Sequence, residues 1–210
     1  MIAGNQIIVE YLVNNGANIN LQDSDLHTVM HWVVVCGQAH LIDFLLKNDS
    51  NAETADIHGA YPIHYAAQMC GNVEIWDETI SRDTSKSLVI LKKLISAKVD
   101  LNVEDADKRN SILWAASSGS SDSVTLLFQA GANPFTHEKD GLTALHCAAS
   151  KGHADCIKTL IDVCKCSVDM MDNNNCTPIF YGATIGHPDV CQVLIDYGAN
   201  LYVQDVKGRT

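Results

Sequence analysis

The sequence is short of aromatic residues, short of positive charge, and has no long apolar run. Tyr, Phe and Trp make up 6% of the 210 residues. Lys and Arg number 14 against 25 Asp and Glu, a formal charge of −11. A surface that acidic repels phosphate, which argues against a nucleic-acid groove or an anionic membrane patch. No apolar stretch approaches the roughly 20 residues of a membrane span. Met1 to Glu10 has no basic segment followed by an apolar one, so no secretory leader is expected. Apolar residues are nevertheless 47% of the chain, enough for a folded core. The eight cysteines, Cys36, Cys70, Cys147, Cys156, Cys164, Cys166, Cys176 and Cys191, are scattered through apolar stretches. They read as free thiols in a reducing compartment, cytoplasm or nucleus, rather than as a disulfide framework.

What the sequence does have is self-similarity. Gly-Ala-Asn recurs at Gly16, Gly131 and Gly198, each time after a Leu- or Ile-rich stretch. Gly37, Gly119, Gly152 and Gly186 each follow a run of small or β-branched residues. Registering these landmarks gives units of about 33 residues. The units are 23–55, 56–104, 105–137, 138–171 and 172–204. Residues 1–22 are the second half of a preceding unit, and 205–210 open a following one. The unit that begins at Asp56 is about 16 residues longer than its neighbours.

Three segments carry a resemblance. D-G-L-T-A-L-H-C-A-A-S-K-G-H (Asp140 to His153), G-A-Y-P-I-H-Y-A-A (Gly59 to Ala67) and N-C-T-P-I-F-Y-G-A-T-I-G-H (Asn175 to His187) resemble the ankyrin repeat. The resemblance covers essentially the whole chain. The irregular copies and the interrupted unit are similar to long, inversin-like arrays. The resemblance implies an all-α solenoid of stacked helix pairs with short turn hairpins, forming one domain over 1–210. It implies a protein–protein interaction module, a scaffold or adaptor segment that binds a partner on its concave face. A regulatory or tethering array of a larger enzyme or ion channel is the other reading. Neither end shows a polar capping unit, so a longer array is expected.

The residues support the same architecture on physical grounds. Ala144, Leu145, Ala148 and Ala149 give a first helix a small apolar face. A glycine follows to end it, and Cys156, Ile157, Leu160 and Ile161 repeat at one-turn spacing on a second helix. Neither face is buried alone, so stacking is required. Thr143 with His146, and Thr28 with His31, are spaced for a hydrogen-bonded clamp at a helix start. Lys108 and Leu26 stand where glycine is usual in the turn, and local strain or a changed turn is expected there. Asn175 at the same place costs less, because Asn tolerates left-handed backbone.

No constellation points to catalysis or to a metal. The closest thiol pair, Cys164 and Cys166, has no second pair beside it, and His31, His64 and His146 read as turn clamps. Cys147 follows His146 directly, and neighbouring helical side chains diverge. There is no G-x-S-x-G, Walker or G-x-G-x-x-G motif. The paired acids fall at unit boundaries, as helix-start and turn residues do. The expectation is no enzyme activity, no cofactor and no metal.

That leaves the surface. The residue after the His position is Trp32, Tyr65, Trp114, Cys147 and Tyr181 in successive units. Aromatics this concentrated are either half-buried packing between first helices or a partner-binding ladder, and one residue can do both. Met69 on the same helices, Arg109 and Leu142 at the turns, and the acidic tips Asp107 and Asp140 complete the candidate site. An apolar floor with an acidic rim suits a protein partner, peptide or folded domain, of apolar and basic character. The longer unit is expected to carry a polar, mobile loop near 72–87, a neutral insertion or an interaction and phosphorylation loop.

Overall fold

The structure, a computed structural model, describes residues 6–71 and 84–210. Helix α1 (Gln6–Asn14) stands first. Five pairs follow: α2 (Val29–Val35) with α3 (Ala39–Lys47), α4 (Pro62–Gln68) with α5 (Thr84–Ser96), α6 (Ser111–Ser118) with α7 (Ser121–Gln129), α8 (Ala144–Ser150) with α9 (Ala154–Asp162), and α10 (Pro178–Ile185) with α11 (Pro188–Asp196). Among the described residues there is no strand beyond an isolated bridge between His137 and Thr143.

The pairs stack into two layers. Helices α2, α4, α6, α8 and α10 each pack on the next, and α3, α5, α7, α9 and α11 do the same. The first-helix layer is close-packed because small residues face each other. Ala66, Ala67, Ala115, Ala116, Ala148 and Ala149 are fully buried. Larger side chains from the second helices fill the space beneath, among them Ile42, Leu91, Leu127, Ile157 and Leu194. Each such side chain removed from water contributes roughly 1.5–3 kcal/mol, and the benefit exists only because neighbouring units supply the other wall.

The turns stack as regularly as the helices. The amide of the residue after each opening acid donates to a carbonyl in the turn before. The links are Ile57 to Asp25, Ala106 to His58, Lys139 to Asp107, Asn173 to Asp140 and Val206 to Asn174, all at 3.0–3.1 Å. The second of these crosses the long unit without interruption. Every turn also carries one left-handed residue at the same place: Leu26, Gly59, Lys108, Gly141, Asn175 and Gly208. The turn therefore does not change where glycine is missing. Leu26 (φ 62°) and Lys108 (φ 64°) adopt the glycine conformation and carry its steric cost. At Gly141 the next unit forbids a side chain as well, since a Cβ there would lie 2.6 Å from Asn173 Oδ1.

The histidine clamps reach further than one turn. Nδ1 of His31, His64 and His146 accepts the backbone N–H of Thr28, Tyr61 and Thr143 at 3.0–3.1 Å. Nε2–H then donates onward, into the following unit at the carbonyls of Ala60 and Cys176 and, for His64, to Val103 near the end of its own long unit. In the third unit Leu113 replaces the histidine, and Asn110 ties the helix start to the end of its own unit instead. Its Oδ1 accepts from Leu113 N–H at 3.2 Å, and its Nδ2 donates to Asn133 O and Thr136 Oγ1.

The long unit departs from expectation in one respect. Helix α5 already begins at Thr84, so the end of the expected loop, 84–87, is helical. It forms a polar first turn ahead of the buried Ile90, Leu91 and Leu94. A helix satisfies its own backbone hydrogen bonds along its length, which lets a polar turn extend it without an apolar face. The rest of the expected loop, 72–83, lies outside the described residues.

Candidate partner-binding groove

The groove is built on a hydrogen-bonded pair that recurs nine residues apart. In each case the opening Asp uses Oδ1 to accept two backbone amides of its own turn. Asp56, for example, takes His58 N–H at 2.8 Å and Ala60 N–H at 2.9 Å. Oδ2 is left for an aromatic on the first helix. Trp32 Nε1–H donates to Asp23 at 3.0 Å, Tyr65 OH to Asp56 at 2.6 Å, Trp114 Nε1–H to Asp105 at 2.9 Å, and Tyr181 OH to Asp172 at 2.6 Å. Burial, reinforced by the carboxylate acceptor, pushes the Tyr65 and Tyr181 hydroxyls up, so both stay protonated. Asp205 has the same turn bonds and gives its Oδ2 to Arg209.

The rings run along the first-helix layer, with Tyr65 and Trp114 in direct contact, His27 between Trp32 and Tyr65, and Tyr181 set apart against His146. Tyr65 and Trp114 have centroids 5.6 Å apart, and His64 stacks on Trp114 at 5.5 Å. Tyr65, Trp114 and Tyr181 are half-buried against the core, while Trp32 is 39% exposed. Tyr65, Trp114 and Tyr181 thus take the half-buried packing role that was one of the two expectations for the row. The polar atoms of the ladder are spent on the fold, and what remains toward solvent is ring surface.

The other candidate residues divide. Arg109 lies over the Trp114 ring at 5.2 Å, and its guanidinium is held by Asp105 at 2.8 Å and Asp107 at 3.2 Å. Asp107 also pairs with Lys139 at 3.0 Å, and those two cations hold its carboxyl below the usual carboxylate range. Asp140 is exposed, and Leu142 is half-buried with its carbonyl accepting from Glu138 N–H. Met69 does not join them. It caps α4 and lines a separate cavity of about 390 Å³ with Val35, Gln38 and Ser87.

The fourth unit breaks the pattern, and it does so at both ends of the pair at once. Glu138 stands for Asp, and Cys147 stands for the aromatic. A cavity of about 190 Å³ opens there, lined by Gln68, Arg109, Leu113, Trp114, Ser117, Glu138, Cys147 and Ser150. Burial pushes the Cys147 thiol up to about 12 and raises the Glu138 carboxyl above its ordinary value. Sequence reasoning did not select Glu138. Its signal was available in the matched loss of Asp and aromatic nine positions apart.

The remaining chemistry-bearing side chains are structural. All eight cysteines are free. His153 and His187 donate through Nε2–H to the carbonyls of Ser117 and Ser150 in the preceding unit. Among the described residues no three His, Cys, Asp or Glu side chains gather in a way that could hold a metal ion.

Residues 1–78 and 112–205, more than half of the chain, match the family model described as ankyrin repeats (3 copies). The chain belongs to the ankyrin-repeat family. Ankyrin repeats are protein-interaction modules, and stacked units present extended binding surfaces. The chain is similar to the palmitoyltransferase AKR1 of Lachancea kluyveri, 28% identical over 74% of this chain and 20% of that protein. It is similar to the putative ankyrin repeat protein L371 of Acanthamoeba polyphaga mimivirus, 24% identical over 100% of this chain and 26% of that protein. It is also similar to the probable 26S proteasome regulatory subunit p28 of Saccharomyces cerevisiae, 27% identical over 95% of this chain and 84% of that protein. The chain spans only about a fifth and a quarter of the first two relatives. Ankyrin repeats are generally non-catalytic, and the repeat region is what matches in the palmitoyltransferase. Among the described residues no helix is long and apolar enough to cross a membrane.

Proposed function

We propose that the first-helix layer and its turn tips form the concave, partner-binding face of this ankyrin array, and that the chain works as a scaffold or adaptor segment. The observation that carries the reading is the state of the ladder. Trp32, Tyr65, Trp114 and Tyr181 have no polar atom left to satisfy, so a partner meets ring area alone. Such area suits an apolar anchor. The acidic tips Asp107 and Asp140, in a chain of net charge −11, favour basic flanks on the partner. Residues 1–210 are taken as one domain with units at 23–55, 56–104, 105–137, 138–171 and 172–204. The eight free thiols favour a cytoplasmic or nuclear setting.

A regulatory or tethering array of a larger enzyme or channel is the second reading. It is favoured by the similarity to a palmitoyltransferase of which the chain spans only 20%.

Selection of binders from a displayed library of short peptides tests the choice of face. Enriched peptides are expected to lose about thirtyfold in affinity on Trp114→Ala or Leu142→Ala in variants shown to be folded. They are expected to be indifferent to Lys158→Ala on α9 and Gln192→Ala on α11. The reverse pattern places binding on the second-helix layer and removes the proposal.

A further inference from the structure

We propose that the cavity at the fourth unit takes one basic side chain, lysine or arginine, from a bound partner peptide, with the Glu138 carboxylate as its counter-ion. The inference rests on the partner-binding reading of the first-helix layer and names the chemistry of one subsite within it.

The argument begins with a comparison the molecule makes for itself. Asp23, Asp56, Asp105, Asp172 and Asp205 each use both carboxylate oxygens, one on turn amides and the other on a side-chain N–H or O–H. Glu138 occupies the equivalent place and is alone in doing neither. Its carboxylate accepts no hydrogen bond and forms no ion pair among the described residues. The extra methylene carries the oxygens past the turn amides, and the residue nine positions on, Cys147, has only a weak donor. The Glu138 carboxylate is half-buried with no donor from the described residues, so its acceptor capacity is open to an external cation.

The missing aromatic provides the room. Where the other units place an indole or phenol ring, the fourth leaves about 190 Å³. The walls match a long basic side chain along its length. Trp114 and Leu113 offer apolar surface to methylenes, Glu138 offers charge at the end, and the Gln68 amide and the Ser117 and Ser150 hydroxyls offer further acceptors. Arg109 also lines the cavity, and it acts on Glu138 only at a distance, with no hydrogen bond or ion pair between them. Its guanidinium is committed to Asp105 and Asp107 and to the Trp114 face. The Asp140 carboxylate, near enough to act on Glu138, favours the approach of a cation.

The test uses short peptides displayed as a library, selected on the whole chain and on two variants. Glu138→Gln removes the charge and keeps the shape. The double variant Glu138→Asp with Cys147→Tyr installs the pair found at Asp56 and Tyr65, so the cavity is filled in a manner the fold already accepts. Thermal unfolding confirms that both variants fold. On the wild type, Lys or Arg is expected at one fixed position of the enriched peptides. Both variants should weaken such a peptide at least tenfold. Replacing its basic residue by norleucine should cost the same on the wild type and nothing further on Glu138→Gln. Enriched peptides that depend on Trp114 and Leu142 and carry no basic residue at a fixed position would overturn the subsite and leave the binding face standing. So would an affinity unchanged by Glu138→Gln. Peptides that ignore Trp114 and Leu142 altogether would overturn both.

Discussion

The indole N–H of Trp114 lies 2.9 Å from Oδ2 of Asp105, nine residues earlier in the chain. That one bond ties the turn of a unit to the exposed side of its first helix. The same carboxylate accepts Asp107 N–H, Arg109 N–H and Arg109 Nε–H, with a side chain only 1% exposed. Position 105 is therefore a hub, and the ladder is anchored to hubs. The ladder cannot shift without the turns.

Removing the hub should be costly. Asp105→Ala strands buried donors on the turn and on Trp114, at roughly 1–3 kcal/mol for each group left unpaired. Because Arg109 and water recover part of this, a net loss of roughly 3 kcal/mol in equilibrium urea unfolding is expected. A loss below about 1 kcal/mol would mean that the turn holds itself through its backbone links alone.

Tyr65→Phe separates the two roles of the ladder. The ring stays, and only the 2.6 Å bond to Asp56 goes. Asp56 is fully buried at its side chain, with His27 Nε2 3.5 Å away. Stability should fall by about 1–2 kcal/mol, while affinity for a groove peptide should change less than twofold. A large affinity loss in the folded variant would show that the hydroxyl reaches the partner.

Acid should weaken the stack through its histidines before it reaches its carboxylates. In the folded chain both ring nitrogens of His64 are committed, Nδ1 as acceptor from Tyr61 N–H and Nε2 as donor to Val103 O. Burial above all lowers its pKa from 6.5 to about 4. Burial lowers those of His31 and His146 in the same direction. The unfolded chain therefore binds protons first as pH falls. Stability present above about 6.5 is lost as the pH drops toward the folded value, on the order of 3 kcal/mol for His64 alone. Unfolding at pH about 7.5 and about 4.5 should show the drop, and His64→Leu, which copies Leu113, should flatten it. An unchanged slope in that variant would assign the drop to other groups.

The helix pairs were legible because each unit repeats the same alternation of small and large apolar residues, and Gly37, Gly119, Gly152 and Gly186 mark the ends of the first helices. The clamps were half legible. Thr and His three apart predict the local bond, whereas the second bond of His146, to Cys176, crosses into another unit and leaves no local trace. The aromatics were picked out as a row, and their link to the opening acids was not, because nine residues spanning a turn and a helix start match no helical or strand period. Met69 was grouped with Arg109 by its position along the helix. Its place at the end of α4 aims it at a different cavity. The early start of α5 at Thr84 was hidden by its polar first turn, which offers no apolar spacing to read.

Lys108→Gly should stabilise the chain. Lys108 holds φ at 64° because the third turn keeps the shape of its neighbours, where Gly59, Gly141 and Gly208 fill the same place. A left-handed non-glycine residue costs roughly 1–2 kcal/mol. Glycine gives back about 0.5–1 kcal/mol through the greater freedom of the unfolded chain. The balance is a gain of roughly 0.5–1 kcal/mol. The Lys108 side chain is exposed and forms no ion pair among the described residues, so little else is lost. Leu26→Gly, at the same place in the first turn with φ 62°, should give a gain of similar size. Asn175→Gly should give less, because Asn adopts this backbone more readily. Urea unfolding of the three variants should rank them in that order. A loss of stability in Lys108→Gly would mean that the lysine relieves the acidic rim by more than its backbone strains the turn, and the salt dependence of the loss would then show it directly.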